Sequence, residues 1–270
     1  MECEKKKNYK ACLFDLDGTL VDTIADIAYA ANHSLEEMGY PPCEEESYKY
    51  KVGNGMRMIC KRALPEEVRE DEQILQDMIR RYDQYYSAHC CDRSRAYPGI
   101  PELIRDLRKA GVLLAVISNK PHPQTQIVMQ TIFHYHDDTV CPEGPEESEY
   151  HDDTASQYKS DEIGKGTLCG EKPMISGIEE NDFFYVQGQC DRFPRKPEPE
   201  VLLDCIARTG LPKEEIIYVG DSNVDVEFAR RAGIPCIGVT WGFRGREELE
   251  EAGAAYIAET AEEVFSYITG

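Results

Sequence analysis

Asp15 and Asp17 stand two residues apart, directly behind the apolar residues 11–14. A run of that length reads as a buried strand, which sets both acids at its carboxyl tip, where open α/β sheets place their chemistry. A carboxylate pair there can hold a hard cation. One member can act as a nucleophile while the other moves protons. Two more apolar runs end in polar groups. Residues 112–117 lead into Ser118-Asn119-Lys120, and residues 216–219 lead through Gly220 into Asp221, with Asp225 four residues on. Arg195-Lys196-Pro197 stands just before another helical segment. A hydroxyl, a lysine and two acid clusters are the parts that phosphoryl transfer needs: a nucleophile, a cation on the equatorial oxygens, donors for the transition state, and an acid for the leaving group.

These groups must be carried by a regular frame, and the patterning supplies one. Asp22-Thr23 can cap a helix that runs to about Met38 and stops at Gly39. Helical periodicity continues to about Cys91, broken at Pro41-Pro42, at Gly53-Asn54-Gly55 and at Pro65. No strand pattern interrupts residues 23–92, so this block reads as a helical insert behind the first strand. From Tyr97 onward helices and strands alternate: helices over residues 100–110, 124–133, 199–209 and 225–232, strands over 112–117, 183–187, 216–219 and 236–239. A further helix, a short strand near residues 255–258 and a last helix from Ala261 close the chain. That alternation implies a mostly parallel sheet covered on both faces.

With all four motifs in order, the chain resembles the haloacid dehalogenase superfamily of phosphohydrolases. It is most similar to the phosphoglycolate phosphatase-like branch, through Val52-Gly53-Asn54-Gly55, Tyr97-Pro98-Gly99, Ser118-Asn119-Lys120-Pro121 and Val239-Thr240-Trp241-Gly242-Phe243. The resemblance implies an α/β, Rossmann-like parallel core over residues 1–22 and 93–270, with a helical cap over residues 23–92. It also implies roles. Asp15 would attack phosphorus, and Asp17 would protonate the leaving alcohol and then activate water. Ser118 and the Asn119 backbone N–H would bind phosphate oxygens, and Lys196 would offset charge. Mg²⁺ would be held by Asp15, the Asp17 carbonyl and Asp221, with Asp225 joining that shell, supporting it, or capping its own helix. Arg195 is the rival to Lys196; the Lys-Pro pair favours Lys196.

The cap would choose the substrate. Gly53, Asn54 and Gly55 form a loop expected to face the phosphate, since glycine permits close backbone approach. Lys51, Arg57, Lys61 and Arg62 are cations within reach of a second anionic group, although each also fits a solvated helix face. Trp241 fits core packing and site lining equally. The expected activity is hydrolysis of a small phosphate monoester, phosphoglycolate first, through an aspartyl-phosphate. The rivals are a phosphomutase of the β-phosphoglucomutase type and an inactive interaction protein that uses an acidic insert.

That insert spans about residues 136–182, with 14 acidic residues against 3 lysines and no periodicity. It follows a helix that starts at the active-site end of the sheet, so it should emerge at the opposite end and leave substrate choice alone. His134, His136, Cys141 and His151 match no standard zinc spacing.

Composition narrows the class. The 270 residues carry 30 basic and 51 acidic side chains, a net charge of −21, which disfavours nucleic acid and anionic membranes as partners. The partner expected is a small phosphorylated metabolite, with the chain a monomer or homodimer. Eleven cysteines, an odd count without a Cys-x-x-Cys, fit reduced thiols. The start of the chain lacks the apolar segment of a secretory signal. A cytoplasmic protein is expected.

Overall fold

Strand β1, Ala11–Phe14, is buried at every residue and lies in the middle of the sheet. A computed structural model of the chain describes residues 8–135 and 182–270. After β1 the chain makes a two-residue strand β2 (Val21–Asp22) and enters a helical excursion: α1 (Ile24–Glu37), a 3₁₀ turn at Glu45–Tyr50, α2 (Met56–Ala63) and α3 (Glu72–His89). Strand β3 (Arg95–Ala96) returns the chain and pairs antiparallel with β2. This two-stranded neck was not apparent in the periodicity, because two-residue strands have no period to read. Then follow α4 (Ile100–Lys109), β4 (Leu113–Pro121), α5 (His122–Phe133), β5 (Tyr185–Gln189), α6 (Glu200–Thr209), β6 (Ile216–Gly220), α7 (Asn223–Ala232), β7 (Cys236–Val239), α8 (Arg246–Glu251), β8 (Tyr256–Ala258) and α9 (Ala261–Thr269).

The six long strands form one parallel sheet in the order β5-β4-β1-β6-β7-β8. Its two faces are written in alternate residues. Cys12, Phe14, Leu114, Val116, Ile217 and Val219 join the apolar cluster beneath α4, α5 and α9. Leu13, Ala115, Ile117, Ile216 and Tyr218 join the one beneath α6 and α7. From β1 the chain winds outward to β4 and β5, then crosses to β6 on the other side. The reversal opens a crevice outside the carboxyl ends of β1, β4 and β6.

The helical cap inserted after the first strand sits over this crevice. Its apolar residues, Leu35, Tyr48, Cys60, Met78 and Tyr82 among them, are continuous with the first sheet-face cluster. The neck is tied by Asp26, a fully buried carboxylate on α1. It accepts hydrogen bonds from Arg93 N–H (2.9 and 3.0 Å), Ser94 N–H (2.8 Å) and the Ser94 hydroxyl (2.6 Å). Four bonds to one buried acid hold the outgoing and returning chains together.

The acidic insert lies outside the described residues, except for its last, Asp182. Its flanks are visible. Phe133, at the end of α5, meets Phe183 edge-on at 6.0 Å, and Arg108, at the end of α4, pairs with Asp182 at 3.3 Å. β5 begins beside Ala115, so both flanks lie at the amino edge of the sheet, opposite the crevice. The eight described cysteines are free thiols. No helix among the described residues is long and apolar enough to cross a membrane.

Candidate active site

Asp15 follows β1 and keeps the ladder going for one more bond, from its N–H to the Val219 carbonyl (2.9 Å). The chain then turns sharply at Gly18, whose φ of +86° suits glycine. Space also demands glycine here. A Cβ on Gly18 would lie 2.3 Å from Asp221 Oδ2, and one on Gly242 would lie 2.3 Å from Asp221 Cβ. The two loops close on Asp221 only because they carry no side chains at these points.

Asp15, Asp221 and Asp225 are each buried and each bring a carboxylate oxygen within 4.8 Å of the others. One cation answers them. Lys196 Nζ lies 2.8 Å from Asp15 Oδ1, 2.7 Å from Asp225 Oδ1 and 3.2 Å from the Tyr218 hydroxyl. The contact to Asp15 is a charge contact that lacks hydrogen-bond direction, so Asp15 Oδ1 is a buried oxygen without a hydrogen bond. Burial opposes the Lys196 charge, but the two carboxylates outweigh it and push its pKa up. Burial pushes the Asp15 carboxyl up to about 7. Lys196 works against that rise, while Asp225 and Asp17 add to it. Burial, then Asp225 and Asp15, push Asp221 well above the usual carboxylate range, although the Phe243 N–H donates to Asp221 Oδ2 at 2.7 Å. Three crowded acids with a single ammonium and an oxygen lacking a hydrogen bond form an all-oxygen donor set suited to a hard divalent cation.

Asp225 does two things. Its Oδ2 accepts from the Ser222 N–H and hydroxyl, closing a capping box on α7, while Oδ1 faces Lys196. Helix cap and site member, read as alternatives in the sequence, are one residue's two oxygens. Arg195, the rival to Lys196, is exposed beside Gly55.

Ser118 and Asn119 lie near the end of β4 and line the same cavity. The Asn119 side chain is a clamp. Its Oδ1 accepts from the Lys196 N–H (2.8 Å), and its Nδ2 donates to the carbonyls of Lys196 (3.2 Å) and of Gly53 in the cap (3.0 Å). Gly53 and Gly55 line the cavity, whereas the Asn54 side chain accepts from Arg62 (2.8 Å). The cap cations face other partners. Arg57 pairs with Glu72, Lys61 with Glu70, and Lys51 with the Ser47 hydroxyl, while Arg62 also donates to the Lys51 carbonyl. Asp22 Oδ1 accepts from the Ile24 N–H (3.3 Å), a capping contact at the start of α1. Trp241 Nε1 donates to the Thr19 carbonyl (3.0 Å), bracing the loop behind Asp17.

Two residues gained importance that the sequence did not give them. Lys120, inside a motif but without a task, points its ammonium between Asp17 and the cap residue Tyr86. Arg244 reaches from the core to the Lys49 and Val52 carbonyls of the cap loop. A basic residue directly after the buried Phe243 was the available signal. With the cap so held, the cavity between the strand tips and Ile27, Val52, Met56 and Tyr86 measures about 60 Å³.

A family model for haloacid dehalogenase-like hydrolases matches residues 12–140, and one for HAD-hydrolase-like proteins matches residues 193–264. A phosphoglycolate phosphatase of Pseudomonas putida is 28% identical over 252 residues, 92% of this chain and 75% of its own. Another, from Vibrio parahaemolyticus, is 26% identical over 268 residues, 97% of each chain. The solved structure of a candidate phosphoglycolate phosphatase from Lactobacillus delbrueckii subsp. bulgaricus aligns with a TM-score of 0.76 at 27% identity, over 97% of this chain and 99% of that one.

Proposed function

The chain belongs to the haloacid dehalogenase-like hydrolases, in the phosphoglycolate phosphatase-like branch, and from that membership we propose that it is a Mg²⁺-dependent phosphatase acting on a small phosphate monoester, with phosphoglycolate as the first candidate. The observation that carries this is the buried Asp15–Lys196–Asp225 contact beside Asp221, facing a cavity at the strand tips.

In this reading Asp15 attacks phosphorus. A bond forms from its carboxylate oxygen to phosphorus as the bond to the leaving oxygen breaks, giving an aspartyl-phosphate. Asp17, on the next turn of the same loop, gives its proton to the departing alkoxide. It then takes a proton from the water that attacks the phosphoenzyme, and inorganic phosphate leaves. Ser118 and the Asn119 N–H hold phosphate oxygens, and Lys196 balances the charge gathered around Asp15. Mg²⁺, held by the carboxylates of Asp15 and Asp221 and the Asp17 carbonyl with Asp225 in support, would neutralise the phosphoryl oxygens.

The cap, taken as residues 23–92, excludes water from the reaction. Opening and closing of the cap would admit the ester and release its product. The relatives' named activity supports phosphoglycolate.

The test is phosphate release from 2-phosphoglycolate and a panel of sugar and nucleotide monophosphates. Wild type should favour 2-phosphoglycolate, and Asp15→Asn should lose at least about a thousandfold in kcat, as removal of a nucleophile does elsewhere. Activity of Asp15→Asn close to wild type would end the nucleophile assignment. Wild-type preference for a sugar phosphate would redirect the substrate.

A further inference from the structure

Lys120 is as buried as Lys196, with 3% of its side chain exposed, and it has a separate set of partners. Its Nζ lies 3.0 and 3.2 Å from the two oxygens of Asp17 and 2.6 Å from the Tyr86 hydroxyl. Tyr86 stands near the end of α3, in the cap, stacked on Tyr82 at 5.2 Å. The Thr23 hydroxyl, just before α1, donates to Asp17 Oδ1 at 2.8 Å. The Asp17 carboxyl is therefore oriented from both ends of the cap: directly by Thr23 at its entry, and through Lys120 by Tyr86 near its exit.

A buried ammonium is costly unless its donors are met. Lys120 sits on the core strand β4, yet one of its partners belongs to α3 of the cap, the unit whose opening would admit a substrate. Were α3 to lift with the cap, the hydroxyl would leave, water would reach the ammonium, and the two-sided grip on Asp17 would be lost. The return of α3 would rebuild it. An ordinary cap-to-core ion pair would have needed no contact with Asp17. Its placement on both oxygens of this acid gives it a bearing on the chemistry.

Resting on the phosphatase reading above, we infer that Lys120 is a positioning residue for the proton transfer of Asp17, and that the Tyr86 hydroxyl makes this positioning conditional on the cap being seated. The reaction is unchanged in its atoms. Asp17 takes up a proton from water on one oxygen while the other stays on Lys120, gives that proton to the leaving oxygen, and is left as the carboxylate; Lys120 neither gives nor takes one.

Leaving-group dependence separates this from a structural role. The alkoxide of 2-phosphoglycolate needs protonation to depart, whereas acetyl phosphate, of similar size, loses a stable acetate without it. Lys120→Met should lower kcat/KM for 2-phosphoglycolate by about a hundredfold, the scale of general-acid catalysis, and for acetyl phosphate by no more than about tenfold. Tyr86→Phe keeps the ring stack and guards against a misfolded Lys120 variant; it should show the same selectivity with a smaller loss, about three- to tenfold. Lys120→Arg should recover part of the loss. Equal losses on both substrates, or no loss in either variant, would overturn the inference while leaving the phosphatase reading intact. Turnover of neither substrate by wild type would overturn both.

Discussion

Magnesium should bind more tightly as pH rises through the range where the buried acids shed their protons. The perturbed group is Asp15, whose carboxyl in the metal-free fold is pushed up to about 7 from an ordinary value of 3.8, chiefly by burial. A cation needs the carboxylate, so binding must displace the proton wherever one is held. Well below pH 7 each further unit then weakens apparent affinity about tenfold, or about 1.4 kcal/mol, so moving from pH 7, where the group is half protonated, to pH 5 should cost about fiftyfold. Burial and its acidic neighbours raise Asp221 as well, and that shift acts in the same direction. The sign for folding follows from the same shift. A carboxyl raised in the fold stabilises the metal-free protein most at low pH, and that stability is lost as pH rises from about 4 to about 7. Mg²⁺ should therefore raise Tm more at pH 7.5 than at pH 5. Calorimetric titrations in buffers of different ionisation enthalpy would count the protons released, at least one per Mg²⁺ near pH 6, with Asp15→Asn releasing one fewer. An affinity independent of pH between 5 and 7, with no protons released, would refute the reasoning.

Other outcomes follow from single contacts. Lys196→Met leaves Asp15 and Asp225 facing each other without a cation, and should cost about 3–5 kcal/mol in urea unfolding of the metal-free protein. Asp26→Ala strands three backbone and side-chain donors at the neck, and should cost about 2–4 kcal/mol by the same measurement; a loss under about 0.5 kcal/mol would mean that the neck is held elsewhere. Replacing residues 137–181 with a short linker should leave kcat/KM on 2-phosphoglycolate within about threefold, because the segment's flanks meet at the sheet edge opposite the crevice, and loop length there has a small energetic cost.

Much of the frame was legible because it depends on neighbours in the chain. Strand β1 occupies the four residues that its apolar run indicated, and α1, α4, α6 and α9 start and stop within about two residues of their caps and glycines. Strand period, helix period and the place of a cap are properties of a few consecutive residues, so they survive without the fold. The β2–β3 neck was missed for the converse reason: its two short strands exist only because the cap's ends are brought together. The cap cations show the same limit. Arg57 and Lys61 fitted a solvated helix face better than a substrate contact in the sequence, and only the structure named their partners, Glu72 and Glu70.

By itself the sequence determined that acids, a hydroxyl and a lysine stand at the ends of buried strands, since alternating apolar runs can hardly be arranged otherwise. It determined the parallel sheet and the helical insert on the same grounds. Only the tertiary structure decided which side chains meet. It set Lys196, which the Lys-Pro pair already favoured, against Asp15 and left Arg195 exposed, and it divided Asp225 between Ser222 and Lys196. It brought Lys120 to Asp17 across 103 positions of chain, with Tyr86 from the cap between them in sequence and beside them in space. Such pairings depend on where one layer docks on another. The free energy of satisfying a buried charge decides them, and no local pattern records that.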